Sequence, residues 1–313
     1  MTVLGPCKVR VATYNVLSSA LASPTHFTSC KEDDLSFQNR LPRVLSKLGE
    51  ETEKSSIICM QEISHEFTGP LHTFFAQNNY HFITGLYGRK FNNYMGIGLA
   101  FPLEKFEVKN VDVATLSDVR EGGWPKPPFE EFSLTKAVGK IITKPFYWIS
   151  TKIADIGGSI LGGNNESYMV KLLKGSSGDI DHWERSKSRK NILLFAKLMD
   201  KDSQKEFGIS TYHMPCCFFD PMVMNIHADM AMRRTQILSG DEPSILAGDF
   251  NLKPESPEYY MITKGALDEK DPTYPTPKYG MTWKMSSFPM KSAYAHFNGK
   301  EPDFTNYAKV RFI

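Results

Sequence analysis

Short apolar runs that stop abruptly at a polar side chain recur along this chain, and helix-period segments separate the first of them. Val9–Leu17 is rich in β-formers and predicts a first buried strand ending near Asn15. Residues 36–54 carry Leu41, Val44, Leu45 and Leu48 at helical spacing behind Ser36, a residue type suited to a helix N-cap. A second apolar run from Ser56 closes at Gln61 and Glu62, and residues 66–78 again fit a helix. Strand, helix, strand, helix constrains the fold to a layered α/β protein around a central sheet. His81–Thr84, Gly96–Phe101, Asn191–Met199 and Phe207–His213 read as further strands, and 222–238 as a helix. Ile245–Asn251 reads as a late strand before a helix over about Glu255–Lys264. With no repeat, heptad or clear linker, the pattern predicts one domain over 1–313, interrupted by a Gly- and Pro-rich insertion at about 115–186.

The late strand, Ile245-Leu246-Ala247-Gly248-Asp249-Phe250-Asn251, carries the sharpest chemical signal. Period-two alternation sends Asp249 and Asn251 to one side with Phe250 behind them. Gly248 allows a turn or a close backbone approach. A carboxylate beside a carboxamide suits the handling of a metal-bound water, one group taking a proton and the other orienting. Alone, the pair is more commonly a strand end whose side chains cap a turn. Its company changes the reading, because Asn15, Glu62 and His213 also stand at carboxyl ends of predicted strands. Singly, these are a turn former, a helix cap and a core histidine; together they occupy the edge where open α/β folds bind ligands.

Composition narrows the function classes. Lysine and arginine total 37 against 35 acidic residues, so a broad nucleic-acid-coating surface is not indicated, whereas a local basic cleft is. The five cysteines lack zinc spacing, and the adjacent Cys216-Cys217 pair suits neither a CxxC site nor an easy disulfide. Reduced thiols, no signal-peptide core and no apolar run near the ~18–20 residues that span a bilayer predict a cytoplasmic or nuclear protein without membrane insertion.

Thr13-Tyr14-Asn15-Val16-Leu17, Met60-Gln61-Glu62, Tyr212-His213-Met214, Gly248-Asp249-Phe250-Asn251 and Ser292-Ala293-Tyr294 occur in the order found in the endonuclease/exonuclease/phosphatase superfamily, which the chain resembles. Glu301-Pro302-Asp303-Phe304-Thr305-Asn306-Tyr307 resembles the branch holding the poly(A) deadenylases, nocturnin and the Angel proteins. The resemblance implies a four-layer α/β sandwich, two β-sheets face to face and flanked by helices. It also implies Mg²⁺-dependent phosphoester hydrolysis, with Mn²⁺ able to substitute, on RNA or a nucleotide. Carried over by position, Glu62 is the principal metal ligand, Asp249 activates or aligns the attacking water, and Asn251 holds substrate or water. Asn15 supports metal and phosphate, and His213 hydrogen-bonds a non-bridging phosphate oxygen. Asp220-Pro221 falls near the nucleobase and Asn306 contacts substrate. Arg89-Lys90 suits substrate phosphates or, equally, a solvated surface, and Trp283 and Phe304 suit base stacking, although core aromatics are commoner.

The family pattern continues through a further strand with an Asp-Tyr pair and then a Ser-Asp-His segment, neither of which is present before Ile313. On the resemblance this is a truncated member whose final strands are missing, with an unpaired sheet edge and one phosphate-polarising histidine fewer. Loss of one such group typically lowers a rate ~10²–10³-fold. Two function classes stay open: a metal-dependent 3′-exoribonuclease or nucleotide phosphatase, and a catalytically inactive relative that keeps the cleft and binds partners. The Trp148–Ile160 stretch leaves a third, membrane-contacting phosphodiesterase reading, against which Glu301–Tyr307 stands.

Overall fold

A computed structural model of the chain describes residues 7–128 and 181–306. Its strands form two four-stranded sheets. In the first, β1 (Val11–Asn15) runs parallel to β2 (Ile57–Ile63), β2 antiparallel to β4 (Gly96–Pro102), and β4 antiparallel to β3 (Tyr80–Leu86). The second has the order β5 (Phe106–Thr115), β6 (Ile192–Asp200), β7 (Glu206–His213), β8 (Ser244–Asp249), and only its β7–β8 pair is parallel. The described helices are α1 (Glu32–Leu35), α2 (Phe37–Thr52), α3 (His65–Gln77), α4 (His182–Ser188), α5 (Pro221–Ser239), α6 (Pro257–Lys264) and α7 (Ala293–Asn298).

Alternate residues of the central strands build two separate cores. Ile57 and Cys59 of β2 and Leu99 and Phe101 of β4 pack with Leu194, Ala196, Leu198 and Ile209 of the opposing sheet. The other faces of the same strands, through Ile58, Met60 and Ala100, meet Val44 and Leu48 of α2 and Phe67, Leu71 and Phe75 of α3. Helix α5 covers the far side of the second sheet, against β6, β7 and β8. Helix, sheet, sheet, helix is the four-layer α/β sandwich that the family resemblance implied. Burial of β4 along its whole length explains why it reads as a continuous apolar run.

Ser36 caps α2 as expected, its hydroxyl accepting from Asn39 N at 3.4 Å. The structure departs from the sequence reading at two strands. Strand β1 is half-buried rather than buried, because it lies at the end of its sheet with β2 as its partner. Strand β5 is unanticipated, and Trp283, only 3% exposed, takes the core place that is commoner for an aromatic, with no face for a stacked base. Phe304, in contrast, is exposed.

The chain divides into two units, and the described residues fall as 7–124, 182–277 and 282–306 in one and 125–128, 181 and 278–281 in the other. Most of the anticipated 115–186 insertion, including Trp148–Ile160, lies outside the described residues. Its ends do not: β5 reaches Thr115, and α4 begins at His182. All five cysteines are free thiols, and burial pushes Cys59 up to about 12. No described helix is long and apolar enough to cross a membrane.

Candidate active site

Parallel pairing is what gathers the polar strand ends. Asn15 stands opposite Gln61 in the β1–β2 register, and His213 opposite Asp249 in the β7–β8 register, so the carboxyl ends of four strands share one rim. At that rim the Asn15 carboxamide Nδ2 donates to Glu62 Oε1 at 2.9 Å and to Asp249 Oδ2 at 3.0 Å. One amide thus sits between two carboxylates from different sheets. Its own oxygen accepts from Leu17 N at 2.9 Å, which fixes which end of the carboxamide faces the acids.

Glu62 reaches this position through a local break in strand geometry. The β2–β4 register shifts between Gln61 and Ile63, and Glu62 has φ +58°. Such a bulge re-aims a side chain at the cost of a left-handed backbone, about 1–3 kcal/mol for a residue other than glycine. Gln61 turns inward, its amide donating to Thr211 Oγ1 at 3.1 Å across the sheet interface, while Glu62 turns to the rim. Glu62 Oε2 then accepts from Ser18 N at 3.1 Å. Arg40 of α2 holds the turn that presents this amide, donating to the Val16 and Leu17 carbonyls. Burial lowers the Arg40 pKa, partly offset by the charges of Tyr14 and Glu62.

The His213 side chain is 8% exposed and faces Glu62, with Nε2 4.0 Å from Oε1. Its Nδ1 lies 3.2 Å from Tyr87 Oη, and its carbonyl accepts from Asn191 Nδ2 at 2.8 Å. Burial first, and then the charge of Glu62, raises the Tyr87 phenol far above its ordinary value.

The Asp249–Asn251 geometry departs from simple alternation. Strand β8 ends at Asp249, and Asn251 has φ +52°, so the pair does not lie on one strand face. Asp249 Oδ1 accepts from Asn251 N at 3.0 Å, an Asx turn, and Asn251 Nδ2 donates to Met214 O at 3.1 Å. The turn-capping role weighed for these residues is therefore present, and Asp249 Oδ2 still faces Asn15. Gly248 has φ +154°, and a Cβ there would lie 1.9 Å from Tyr212 O, so only glycine fits beside β7.

Five sequence-predicted residues, Asn15, Glu62, His213, Asp249 and Asn251, thus form one connected rim. Three others are not joined to it by a described hydrogen bond. Pro221 opens α5, and the preceding Asp220 pairs with Arg185. Arg89 is exposed and forms no ion pair among the described residues; its loop touches the rim where Ser18 Oγ donates to Asn92 O at 2.9 Å. Asn306 is exposed, near the limit of the described residues. Tyr87, Asn191, Ser18 and Arg40 were not legible as site residues, since none stands at the end of an apolar run.

The donor set suits a hard divalent cation of modest demands. No three or more His, Cys, Asp and Glu side chains gather for a metal among the described residues. Mg²⁺ is commonly held through one or two carboxylates with waters and substrate oxygens, and Glu62, with Asp249 beside it on a common amide to meet a water, fits that requirement.

The profile of the Endonuclease/Exonuclease/phosphatase family matches residues 12–309. The CCR4-Not complex 3′-5′-exoribonuclease subunit Ccr4 of Aspergillus niger is 25% identical over 318 residues, covering 96% of this chain and 43% of that protein. Its Aspergillus terreus counterpart is 25% identical over 327 residues, with 96% and 44% covered. The chain therefore spans less than half the length of these relatives. Among solved structures, ANGEL2, a 2′,3′-cyclic phosphatase in complex with adenosine-2′,3′-vanadate, superposes with a TM-score of 0.56 at 16% identity, over 83% of this chain and 58% of that one. The human Nocturnin catalytic domain with bound sulfate gives 0.53 at 15% identity, over 95% and 77%. At these identities the structural likeness establishes the fold.

Proposed function

The chain belongs to the Endonuclease/Exonuclease/phosphatase family, and from that premise we propose that it hydrolyses phosphoesters of RNA or a nucleotide, acting as a 3′-exoribonuclease of the deadenylase kind. The observation that carries this reading is the Asn15 amide joining Glu62 and Asp249 beside His213. The sequence relatives support RNA as the substrate class, since both are 3′-5′-exoribonuclease subunits.

In this reading Glu62 would hold Mg²⁺, or Mn²⁺ in its place. Such an ion supplies charge for a phosphoryl oxygen and eases deprotonation of water. The protein groups do the rest. Asp249, its second oxygen fixed by Asn251 N, aligns the attacking water and takes its proton. Asn251 keeps the following loop against Met214 and orients water or substrate. Asn15 holds the two carboxylates at a set separation, and His213 donates to a non-bridging oxygen as charge grows there. Arg89 offers an exposed guanidinium to flanking phosphates, and Pro221 and Asn306 are assigned to substrate on the family resemblance alone.

The test incubates the chain with 5′-labelled RNA ending in a short A-tract, with Mg²⁺ and separately with EDTA. A Mg²⁺-dependent ladder shortening from the 3′ end is expected. A folded chain that binds this RNA and leaves it intact would instead establish the inactive, binding class.

A further inference from the structure

His213 is held from behind by two residues outside the family-like motifs. The Asn191 amide nitrogen lies 2.8 Å from the His213 carbonyl and 3.5 Å from Tyr87 Oη. A carbonyl only accepts and an amide nitrogen only donates, so the His213 carbonyl fixes which way the Asn191 side chain points. Its other N–H is then directed toward Tyr87 Oη, a long contact that leaves the phenol accepting on that side. The single phenolic proton remains for His213 Nδ1, 3.2 Å away. Burial favours keeping that proton on oxygen. A ring nitrogen that accepts carries no proton, so a neutral His213 has its proton on Nε2, the atom 4.0 Å from Glu62 Oε1.

We propose that Tyr87 and Asn191 are positioning residues that hold neutral His213 as its Nε2–H tautomer, with that N–H turned toward Glu62 and the strand-end rim. His213 is thereby a hydrogen-bond donor to the substrate and not a general base. This last step rests on the reading of the rim as a phosphoester site; the tautomer itself does not.

The test has a spectroscopic arm and a kinetic arm. The whole chain, labelled with ¹⁵N-histidine and kept without added metal at about pH 8, where an ordinary histidine is neutral, is examined by long-range ¹H–¹⁵N correlation. The His213 signals are assigned by their loss in His213→Gln. An unprotonated Nδ1 and a protonated Nε2 are expected, and Tyr87→Phe is expected to give a mixture of both tautomers. Asn191→Asp presents an acceptor that captures the phenolic proton, so Nδ1 is expected to gain a proton. In RNA hydrolysis, Tyr87→Phe is expected to lower kcat about 10- to 100-fold, the usual effect of losing a partner that orients a histidine, with KM changed little.

A protonated Nδ1 in the wild-type chain, or a Tyr87→Phe spectrum identical to wild type, overturns the proposal. If a variant loses its dispersed amide spectrum and is unfolded, the wild-type tautomer decides. A wild-type chain that shows the expected tautomer but never cleaves RNA overturns the hydrolase reading and leaves the positioning assignment standing.

Discussion

Asn15 donates to Asp249 Oδ2 across 3.0 Å, joining the first strand of one sheet to β8 of the other. The same amide nitrogen binds Glu62, so it offsets the repulsion between two carboxylates that the fold brings together. Asn15→Leu keeps the volume and removes the donor. The acids then repel each other unbridged and separate, and hydrolysis is expected to fall by about 10²-fold or more, comparable to losing one preorganised donor. Single-turnover RNA cleavage by the folded variant measures this. A wild-type rate would show that the bridge has no part in turnover.

Glu62→Ala separates metal binding from folding. If Glu62 is the principal ligand, Mg²⁺ raises the thermal midpoint of the wild-type chain through preferential binding to the folded state and leaves Glu62→Ala unmoved. Metal-dependent cleavage is expected to disappear with it. An equal Mg²⁺-induced shift in both proteins would place the ion elsewhere.

The contrast between Glu62 and Tyr87 shows how far the chain could be read before folding. Glu62 closes an apolar run, and β2, β4 and β7 are so thoroughly buried that their runs are continuous; local patterning suffices for them. Strand β5 escaped because Glu107, Lys109, Asn110 and Asp112 interrupt its apolar residues on an edge strand exposed along much of its length. Which of Gln61 and Glu62 faces the rim depends on the bulge, and simple alternation misplaced Asn251 relative to Asp249 for a similar reason. Tyr87, Asn191 and Arg40 act through hydrogen bonds to residues far along the chain. Such contacts leave no periodic trace, so only the assembled sheets reveal them.

Gly248→Ala tests the close approach of β8 to β7. The added methyl would stand 1.9 Å from Tyr212 O, which is backbone paired in register with Gly248 and cannot swing away. Separating the strands also displaces Asp249. The expected cost is about 2 kcal/mol or more, read as a lower urea midpoint at unchanged m-value, together with loss of cleavage. An unchanged midpoint would mean that β7 and β8 do not pack this closely.

The buried His227 gives the fold an acid limit with a defined sign. Its Nε2–H donates to Ser186 O at 3.0 Å, so Nδ1 accepts from Tyr212 Oη at 2.8 Å, tying α5 to α4 and β7. Burial lowers its pKa to about 4 from 6.5, opposed by the Ser186 bond. The unfolded chain therefore takes up a proton as pH drops through 6.5, while the folded chain resists until about 4. Stability from this group is fully present above the unfolded value and is lost between those two pH values, by roughly 3 kcal/mol in all. His227→Gln, which does not titrate, should remove this part of the pH slope whatever it does to stability at neutral pH. Urea unfolding of both proteins at about pH 7 and about pH 4.5 measures the difference. Parallel losses in the two would show that folding does not lower the His227 pKa.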